Sequence, residues 1–503
     1  MKYPQLNRDL LQDSDIFPKG LKVPGLEDDF PERVIQFGEG NFLRSFVDWM
    51  FQKINDNGSF GGKVVIIQPL AEGMIDQLNQ QDGLYTLFLR GYEGDVIVNK
   101  KEIISSISRG INPYEDWQEM LNLAEEPSIE YIISNTTEAG IAYDSQDNPD
   151  LMPPNSFPGK LAVYLYHRYR HFSGDKAKGM VVIPCELIDR NGDNLKQIIL
   201  KLAADWDLEK DFIQWIENAN TFVNTLVDRV VPGYPKEEIE ELTEQLGYTD
   251  KLISIAENFH LWVIEGSQEL SQRLPFKEAG LNVIWTDDLS PYRTRKVRIL
   301  NGAHTSSVTL SYLMGLDTVQ QMMEHPYLGR FVNEIIFEEI IPSIDLEEDM
   351  LKDYAEDVLK RFRNPFIKHY LTSIMLNSIS KYKTRVLPSL LGYIEKRGEI
   401  PERLALSLAS LLAVYKENVM SENSLIFQDD PNILEFFKSL WSGYDGSYTA
   451  SVRVVKNVLE NANLWDQDLT RVDGLGEKVA DLLAAIINDG MEKALTDTLR
   501  MRD

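Results

Sequence analysis

The chain has 503 residues, 43% hydrophobic and 26% charged, a composition typical of a globular protein with two or three domains and a large core. Its formal net charge of −28 disfavours binding to nucleic acid or an anionic membrane, so a pocket for an anionic substrate has to be locally basic. The single cysteine, Cys185, excludes an intramolecular disulfide, and we expect a reducing, cytoplasmic location.

The distribution of apolar residues predicts neither a secretion signal nor a membrane-spanning segment. Residues 1–20 are polar and contain no apolar run of the kind found in signal peptides. The longest apolar run, 404–415, is too short to cross a hydrocarbon layer of about 30 Å. We therefore expect it to be a helix in a protein core.

The N-terminal half carries a series of strand signals. After a proline-rich lead-in over 1–32, short apolar runs rich in β-branched residues alternate with helical segments. The runs lie at 33–37, 63–67, 96–98, 129–133 and 180–183. Because such runs are typical of strands buried on both faces, they predict a mostly parallel sheet covered by helices.

A glycine turn follows the first strand. The run 33–37 ends in Gly38-Glu-Gly40, and 45–54 then shows helical spacing, which is how a dinucleotide-binding unit opens. Leu43 replaces the third glycine of the usual fingerprint, and Gln68-Pro69 follows the second strand where an acidic residue is usual. NAD and NADP therefore both stay open, and an ordinary strand-to-helix turn is the alternative. Arg44, early in the helix, is a candidate phosphate contact.

Beyond residue 285 the pattern is almost entirely helical, with apolar spacing in the runs 306–316, 329–341, 350–362 and 404–417. We place the domain boundary at Trp285, which predicts domains of 1–285 and 286–503.

The second domain opens with Lys296-Val-Arg-Ile-Leu-Asn301-Gly-Ala-His304. On an α-helix Asn301 and His304 share a face, whereas Lys296 is rotated from Asn301 by roughly 140°, so its long side chain has to bend back. The three polar tips then converge on one pocket, where a Lys serves as acid or base and an Asn and a His hold oxygen atoms. The alternative is a helix end at Gly302 with ordinary surface charges.

Five motifs occur in series and together resemble the polyol-specific long-chain dehydrogenases, also called the mannitol dehydrogenase family, over about residues 33–490. They are Gly38-x-Gly40-x-Phe42-x-Arg44, Gln81-Asp-Gly-Leu-Tyr-Thr86, Asn135-Thr-Thr-Glu-Ala-Gly140, Val227-Asp-Arg-Val-Val-Pro232 and the Lys296/Asn301/His304 set. The resemblance implies an α/β fold, with a Rossmann-like dinucleotide-binding N-terminal domain followed by a mostly α-helical C-terminal domain. It also implies NAD as cofactor, no metal, and an active site between the domains.

Residue roles follow from the same resemblance. The family's acid/base Lys matches Lys296, its oxygen-polarising Asn matches Asn301, and its substrate-positioning His matches His304. The cofactor-binding stretch matches Ile35, Gln36, Phe37, Gly38, Glu39, Gly40, Asn41, Phe42, Leu43, Arg44, Ser45 and Phe46.

A lysine acid/base needs a pKa below the usual value of about 10.4. Arg293, Arg295 and Arg298 surround Lys296 in the sequence. We expect their positive charges, together with burial, to lower the pKa of Lys296.

Longer strings narrow the resemblance. Residues 35–44, 134–141 and 184–192 are most similar to the members that interconvert D-tagaturonate and D-altronate in hexuronate (galacturonate) breakdown. Members that act on fructuronate or on mannitol remain alternatives. A non-catalytic nucleotide-binding regulator on the same scaffold is the alternative of another class.

One departure concerns the oxyanion. Many polyol members read Cys-Asp-Asn where this chain reads Cys185-Glu-Leu187, so one oxyanion-holding Asn is missing and Asn191 is its candidate replacement. Asp228, in the fourth motif, is a further candidate substrate residue. Lys381 and Arg385, four apart on one face of a helix or turn, are candidates for binding a substrate carboxylate. A solvated basic face is the alternative.

Overall fold

The computed structural model describes residues 3–25, 30–136, 140–420 and 426–500. The chain divides into two compact units, Met1–Leu289 and Ser290–Asp503. The division falls a few residues beyond Trp285.

Within the described residues, the strands all belong to the first unit. They are β1 (Leu21–Lys22), β2 (Glu32–Phe37), β3 (Lys63–Ile67), β4 (Tyr85–Glu93), β5 (Val96–Ile104), β6 (Ile107–Ile111), β7 (Tyr131–Ser134), β8 (Val181–Pro184), β9 (Thr221–Phe222), β10 (Asn224–Asp228), β11 (Ser254–Glu257), β12 (Leu261–Glu265) and β13 (Val283–Thr286).

Six strands form an all-parallel sheet in the order β6-β3-β2-β7-β8-β9, which confirms the predicted Rossmann-type arrangement. Alternate residues of β2 enter two different cores: Val34 packs in one, and Ile35 and Phe37 in the other. Phe37 pairs with both Ile67 and Ser134, so the carboxyl ends of β3, β2 and β7 lie at one edge. The strand order reverses at β2, and ligands of open α/β sheets bind at such a point.

The run 96–98 is a strand, as predicted, but its expected place in the parallel sheet is wrong. These residues begin β5, which pairs antiparallel with β4 across the connection Gly94-Asp95, in a second sheet of order β1-β5-β4-β11. Val96 and Ile97 are 66% and 51% exposed, so their apolar character does not reflect burial. The parallel position is occupied by β6, and a third sheet has the order β10-β12-β13.

Helices cover the parallel sheet and complete the first unit. A continuous helix spans 41–56, made of Asn41–Leu43, a π-helical stretch Arg44–Asp48, and Trp49–Asp56. The others are Ile75–Gln80, Trp117–Leu123, Phe157–His171, Asn191–Asp205, Lys210–Ala219, Ile239–Leu246 and Gln268–Arg273, with 3₁₀ turns at Leu10–Gln12, Ser14–Ile16 and Lys176–Lys178.

In its described residues the second unit consists of helices joined by loops, with an isolated β-bridge between Thr318 and Tyr370. Its first helix spans 290–313, made of Ser290–Arg295, a π-helical stretch Lys296–Asn301, and Gly302–Leu313. The others are Val319–Glu324, Pro326–Glu334 with a π-helical extension Ile335–Ile340 and a 3₁₀ turn Ile341–Ser343, Glu348–Phe362, Leu371–Met375, Ser378–Arg385, Leu387–Arg397, Glu402–Met420, Pro431–Ser442, Tyr448–Leu459, Ala462–Trp465, the 3₁₀ turn Leu469–Arg471, Leu475–Asp489 and Met491–Arg500.

The apolar run 404–415 lies in the helix Glu402–Met420 and is buried along its whole length, as expected for a helix in a core. Within the described ranges, no helix combines the length and the hydropathy needed to cross a membrane.

Candidate active site

The glycine turn after β2 contains two glycines with different roles. Gly38 has φ +121°, and a Cβ there would lie 3.0 Å from the Asn135 carbonyl oxygen and 3.2 Å from Leu43 Cδ1, so only glycine fits. Gly40 has φ −66° and caps the helix that starts at Asn41. A Cβ at Gly40 would meet nothing within 4 Å. Protein atoms therefore fill the space next to Gly38, on the side of the sheet, whereas the space next to Gly40 is free. Gly40 lies at a helix N-terminus, which favours binding of an anion.

Side chains from three other segments hold the π-helical stretch Arg44–Asp48. Tyr85 Oη donates to the Arg44 carbonyl oxygen (2.6 Å), Arg229 Nη1 to the Ser45 carbonyl oxygen (2.6 Å), and Ser106 Oγ to the Asp48 carbonyl oxygen (2.8 Å). Tyr85 belongs to the second motif and Arg229 to the fourth. Both motifs thus support the helix that follows the glycine turn.

The expectation that Arg44 contacts phosphate is wrong. The residue is 1% exposed. Its Nε donates to the Glu39 carbonyl oxygen (3.0 Å), Nη2 to Asn41 Oδ1 (2.9 Å), and Nη1 to the Leu252 carbonyl oxygen. The guanidinium also lies 5.1 Å from the centre of the Tyr85 ring. Because all three nitrogens bind the protein, Arg44 fixes the turn from inside.

A buried carboxyl group lies next to the turn. Gln36 Nε2 donates to the Gly38 carbonyl oxygen (3.0 Å) and to Asp48 Oδ2 (3.1 Å). Burial raises the pKa of Asp48 to about 7, against the opposing effects of the Gln36 hydrogen bond and the Arg44 charge. Burial also raises the pKa of Glu39. A carboxyl that stays partly protonated near neutral pH repels a bound pyrophosphate less than a full charge would.

The loops after β7 and β8 are joined by hydrogen bonds. Asn135 Nδ2 donates to the Cys185 carbonyl oxygen (2.6 Å). The Glu186 carboxylate accepts from Ser134 Oγ (3.0 Å) and from the Thr136 backbone N–H (3.0 Å). The third motif therefore meets the Cys-Glu string at the carboxyl edge of the sheet; its residues 137–139 lie outside the described part of the chain.

Asn191 does not replace the missing oxyanion donor. It is 1% exposed; its Nδ2 donates to the carbonyl oxygens of Pro184 (3.0 Å) and Glu186 (3.1 Å), and its Oδ1 accepts from the Thr225 N–H (2.9 Å). Both amide hydrogens are taken up by carbonyl oxygens of β8 and of the loop after it, and the amide oxygen is taken up by β10, so that prediction is wrong. Leu187, where the resemblance implied an Asn, is 58% exposed. Asp228 is buried at the end of β10.

A cavity of about 570 Å³ adjoins this edge of the sheet. It is lined by residues that follow β3 and β7 and by the start of the helix Phe157–His171: Pro69, Leu70, Thr136, Gly140, Ala142, Tyr143, Asp144, Ser145, Asn155, Ser156 and Phe157. Since β3 and β7 flank β2 on its two sides, the cavity lies beside the glycine turn. Its described lining contains one acidic side chain, that of Asp144, and neither Lys nor Arg.

In the second unit, Lys296 and Asn301 are the first and last residues of the π-helical stretch. Both are half-buried. In a π-helix the backbone bonds join residues five apart, so these two lie nearer to one face than the rotation of roughly 140° on an α-helix would place them. His304 follows one α-helical turn later and is 9% exposed.

The alternative of a helix end at Gly302 is wrong. Gly302 is buried inside a continuous helix. A Cβ there would lie 3.1 Å from the Arg385 carbonyl oxygen. The glycine thus lets the helix Ser378–Arg385, which carries Lys381 and Arg385, pack closely against the helix of Lys296, Asn301 and His304.

Aromatic rings surround His304. Its ring stacks on Phe362, with centroids 4.0 Å apart and planes 17° apart, and meets the ring of His369 at 5.0 Å and 82°. Burial, and secondarily the charge of Lys381, lowers the pKa of His369. Lys381 Nζ itself donates to the Ile374 carbonyl oxygen (2.9 Å). Sequence reasoning missed His369, because nothing in its local pattern separates it from a loop residue.

The arginines near Lys296 are engaged by protein groups. The Arg295 guanidinium lies 4.4 Å from the centre of the Tyr354 ring. Arg298 Nε donates to Ser389 Oγ (2.6 Å) and Nη2 to Ser343 Oγ (2.9 Å). Burial lowers the pKa of Arg298 to about 10 and also lowers the pKa of Arg293. Their effect on Lys296 stays a prediction.

Family comparisons match both units. The family model described as the mannitol dehydrogenase Rossmann domain matches residues 32–278, and the one described as the mannitol dehydrogenase C-terminal domain matches residues 288–487.

Curated relatives align over most of their length. The chain is 49% identical to an altronate oxidoreductase of Bacillus subtilis, over 93% of this chain and 95% of that protein. It is 46% identical to one of Pectobacterium carotovorum (92% and 96%) and 44% identical to one of Phocaeicola vulgatus (92% and 95%).

Two solved structures share the fold at low identity. A Pseudomonas fluorescens mannitol 2-dehydrogenase, solved as a ternary complex with NAD and D-mannitol, has a TM-score of 0.73 at 22% identity, covering 99% of both chains. A D-sorbitol dehydrogenase in substrate-free form has a TM-score of 0.79 at 21% identity, covering 98% of this chain and 100% of the other.

Proposed function

The chain belongs to the mannitol dehydrogenase family, and from this membership we propose that it is an NAD-dependent oxidoreductase that interconverts D-tagaturonate and D-altronate in hexuronate catabolism. One observation carries the proposal: relatives from three genera, 44–49% identical over 92–93% of this chain, are named altronate oxidoreductase. Identity of this extent spans both units and favours a shared substrate.

The residues around the glycine turn fit a dinucleotide. Gly40 leaves open space at the N-terminus of the helix that starts at Asn41, where a pyrophosphate would be held by backbone N–H groups. The cavity beside β2 would hold the adenosine half. Its described lining offers no cation for the 2′-phosphate of NADP. This supports NAD as the cofactor.

Lys296, Asn301 and His304 would carry the chemistry of this chain. When bound, the nicotinamide supplies the hydride that the keto carbon accepts. Lys296 donates its proton to the keto oxygen during reduction and takes it back during oxidation. Asn301 donates an amide hydrogen bond to the same oxygen, a contact worth about 2.7–4 kcal/mol in comparable oxyanion sites. His304, held by Phe362, orients the substrate.

Lys381 and Arg385 would bind the substrate carboxylate. They lie four apart on the helix Ser378–Arg385, which packs against the His304 helix at Gly302. An ammonium and a guanidinium on one face provide the local positive charge that a protein of net charge −28 needs to bind an anion.

The substrate assay tests the proposal directly. The initial rate of cofactor oxidation is measured with D-tagaturonate, D-fructuronate and D-fructose, each with NADH and with NADPH. We expect the highest kcat/KM for D-tagaturonate with NADH. A higher kcat/KM for D-fructuronate or D-fructose would show that the protein has the substrate of another member of the family. Tight NADH binding without turnover of any of the three sugars would instead support a non-catalytic nucleotide-binding regulator.

The carboxylate contact has its own test. Arg385→Ala is expected to raise the KM for D-tagaturonate and leave the KM for NADH unchanged. Arg397→Ala, which removes an exposed arginine at the end of the next helix, is the matched control. A raised KM for NADH with an unchanged KM for D-tagaturonate would refute the assignment.

A further inference from the structure

His369 lies in the second unit just before the helix Leu371–Met375. Its carbonyl oxygen accepts from the Val319 N–H (3.0 Å). The next residue, Tyr370, forms a β-bridge with Thr318. The backbone on both sides of the histidine is thus held by another segment, so the position of its side chain is well defined.

The ring of His369 lies against one candidate substrate residue, His304, and within range of the charge of another, Lys381. It meets the His304 ring edge to face, at 5.0 Å and 82°. Lys381 is close enough for its charge to disfavour protonation of His369, in addition to the larger effect of burial, and both lower the pKa of His369. A neutral imidazole has one N–H donor and one nitrogen acceptor.

The nitrogens of this ring are available to a ligand. Among the described residues, the imidazole contacts the His304 ring and forms no hydrogen bond through its own nitrogens. The residue is half-buried, so its ring nitrogens can act as hydrogen-bond donor and acceptor toward a ligand. A half-buried imidazole beside an ammonium and a second imidazole is suited to bind a small polar anion.

We propose that His369 is a substrate-binding residue that, with Lys381, recognises the carboxylate of the sugar acid. This inference rests on the proposed function and adds a contact to it. The imidazole N–H and the Lys381 ammonium each donate to a carboxylate oxygen, and such charge-assisted bonds are stronger than neutral ones. The hydroxymethyl group of a neutral sugar gains less from the pair, so the two residues select sugar acids.

A structural role makes a different prediction. If His369 only packed against His304, its removal would disturb the orientation of His304 and lower kcat. If it binds the carboxylate, its removal weakens substrate binding and raises KM. The two roles therefore separate in the steady-state parameters.

The experiment compares His369→Leu and His369→Gln with the wild type, using D-tagaturonate and NADH. Loss of a hydrogen bond to a charged group predicts that His369→Leu raises the KM for D-tagaturonate about 10- to 100-fold. The KM for NADH and kcat are expected to stay within about threefold of wild type. His369→Gln keeps a donor and recovers part of the affinity, and it keeps the test valid if the leucine variant does not fold.

His325→Asn is the matched control in the same unit. His325 Nδ1 accepts from the Leu328 N–H (3.4 Å) as a helix N-cap, a role that Asn also fills, so no parameter is expected to change. A lowered kcat with an unchanged KM in both His369 variants would overturn the inference.

Binding calorimetry separates failure of this inference from failure of the proposed function. D-altronate and its neutral analogue D-altritol are titrated into wild type and His369→Leu, each saturated with NADH. We expect the variant to lose affinity for D-altronate only. If the assays identify another sugar acid as the substrate, the proposed substrate is wrong. The same titrations are then made with that acid and its neutral analogue to test His369. Equal losses for both ligands, or no loss for either, would overturn the inference, and a wild type that binds neither would overturn both.

Discussion

The described residues contain three π-helical stretches, and two of them, Arg44–Asp48 and Lys296–Asn301, present their side chains in opposite ways. In Arg44–Asp48 every side chain is buried. In Lys296–Asn301 only Ile299 and Leu300 are buried, and Lys296 and Asn301 are half-buried at the two ends. π-Helical turns are often found at functional sites.

The difference shows two uses of the same backbone distortion. At Arg44–Asp48 the side chains hold the fold, and the proposed pyrophosphate contact is made by the backbone at Gly40. At Lys296–Asn301 the backbone brings two polar side chains nearer to one face, and these side chains carry the proposed chemistry. Substitution in the first stretch should therefore cost stability, and substitution in the second should cost turnover.

The largest expected effect is at Lys296. Lys296→Met keeps the aliphatic chain and removes the proton donor, which lowers kcat by about 10²- to 10⁴-fold, the usual contribution of a general acid. Because the side chain is half-buried at most, the free energy of unfolding and the affinity for NADH should change little. Turnover is measured with D-tagaturonate and NADH, and Lys352→Met at an exposed site is the control. Turnover near the wild-type value across pH would remove Lys296 from the mechanism.

Arg44→Met is expected to have the opposite signature. Three protein oxygens lose their donor, and the unfolding free energy falls by about 2–4 kcal/mol. At saturating NADH, kcat should stay close to wild type. Urea denaturation gives the first quantity, with Arg170→Met, an exposed arginine of the same unit, as the control. An unchanged unfolding free energy together with a raised KM for NADH would instead show that Arg44 contacts the cofactor.

The two glycines of the turn sharpen the comparison further. Gly38→Ala forces a Cβ against the Asn135 carbonyl at a positive φ, which should cost about 1–3 kcal/mol of stability. Gly40→Ala meets no protein atom, so stability should stay within about 0.5 kcal/mol of wild type. Its methyl group enters the space of the pyrophosphate and raises the KM for NADH. The reverse pattern would contradict the assignment of the open side of the turn.

The smallest expected effect is a pH dependence at Asp48. Its pKa is about 7 in the folded protein and 3.8 ordinarily, so the folded state binds the proton more tightly. The favourable contribution of the protonated carboxyl is fully present below about pH 4 and is lost as pH rises through 7. Asp48→Asn removes this pH-dependent loss. The unfolding free energy of the variant minus that of the wild type should therefore increase by about 1 kcal/mol from pH 5 to pH 6. Urea denaturation at both pH values checks this.

Asp76→Asn, at an exposed position of the same unit, controls for the change of charge. A difference between wild type and Asp48→Asn that does not vary with pH would show that Asp48 is ionised in the folded protein.

Much of the molecule could be inferred from residue patterns because the relevant signals are local. Runs of β-branched residues at 33–37 and 63–67, the glycine turn, and the change to helical spacing after Trp285 depend on neighbours in the chain. The Lys296, Asn301 and His304 set also lies within one helix. Resemblance to the family then assigned a role to each of these residues without any structure.

Local patterns failed where two distant segments meet. Val96 and Ile97 form an exposed hairpin end, since β4 offers them an antiparallel partner, and apolar side chains alone do not reveal this. Arg44 and Asn191 carry polar groups suited to binding a ligand, and only the packed structure shows that protein atoms already use them.

The sequence by itself determined the fold class, the glycine turn and the acid/base candidate, because periodicity and motif spacing are properties of neighbouring residues. Tertiary structure alone decided which polar groups are hydrogen-bonded to other protein atoms, that Lys296–Asn301 is π-helical, and that the ring of His369 contacts the ring of His304. Burial and hydrogen bonding between distant segments set the availability and the pKa of a side chain, and both arise only when the chain has packed.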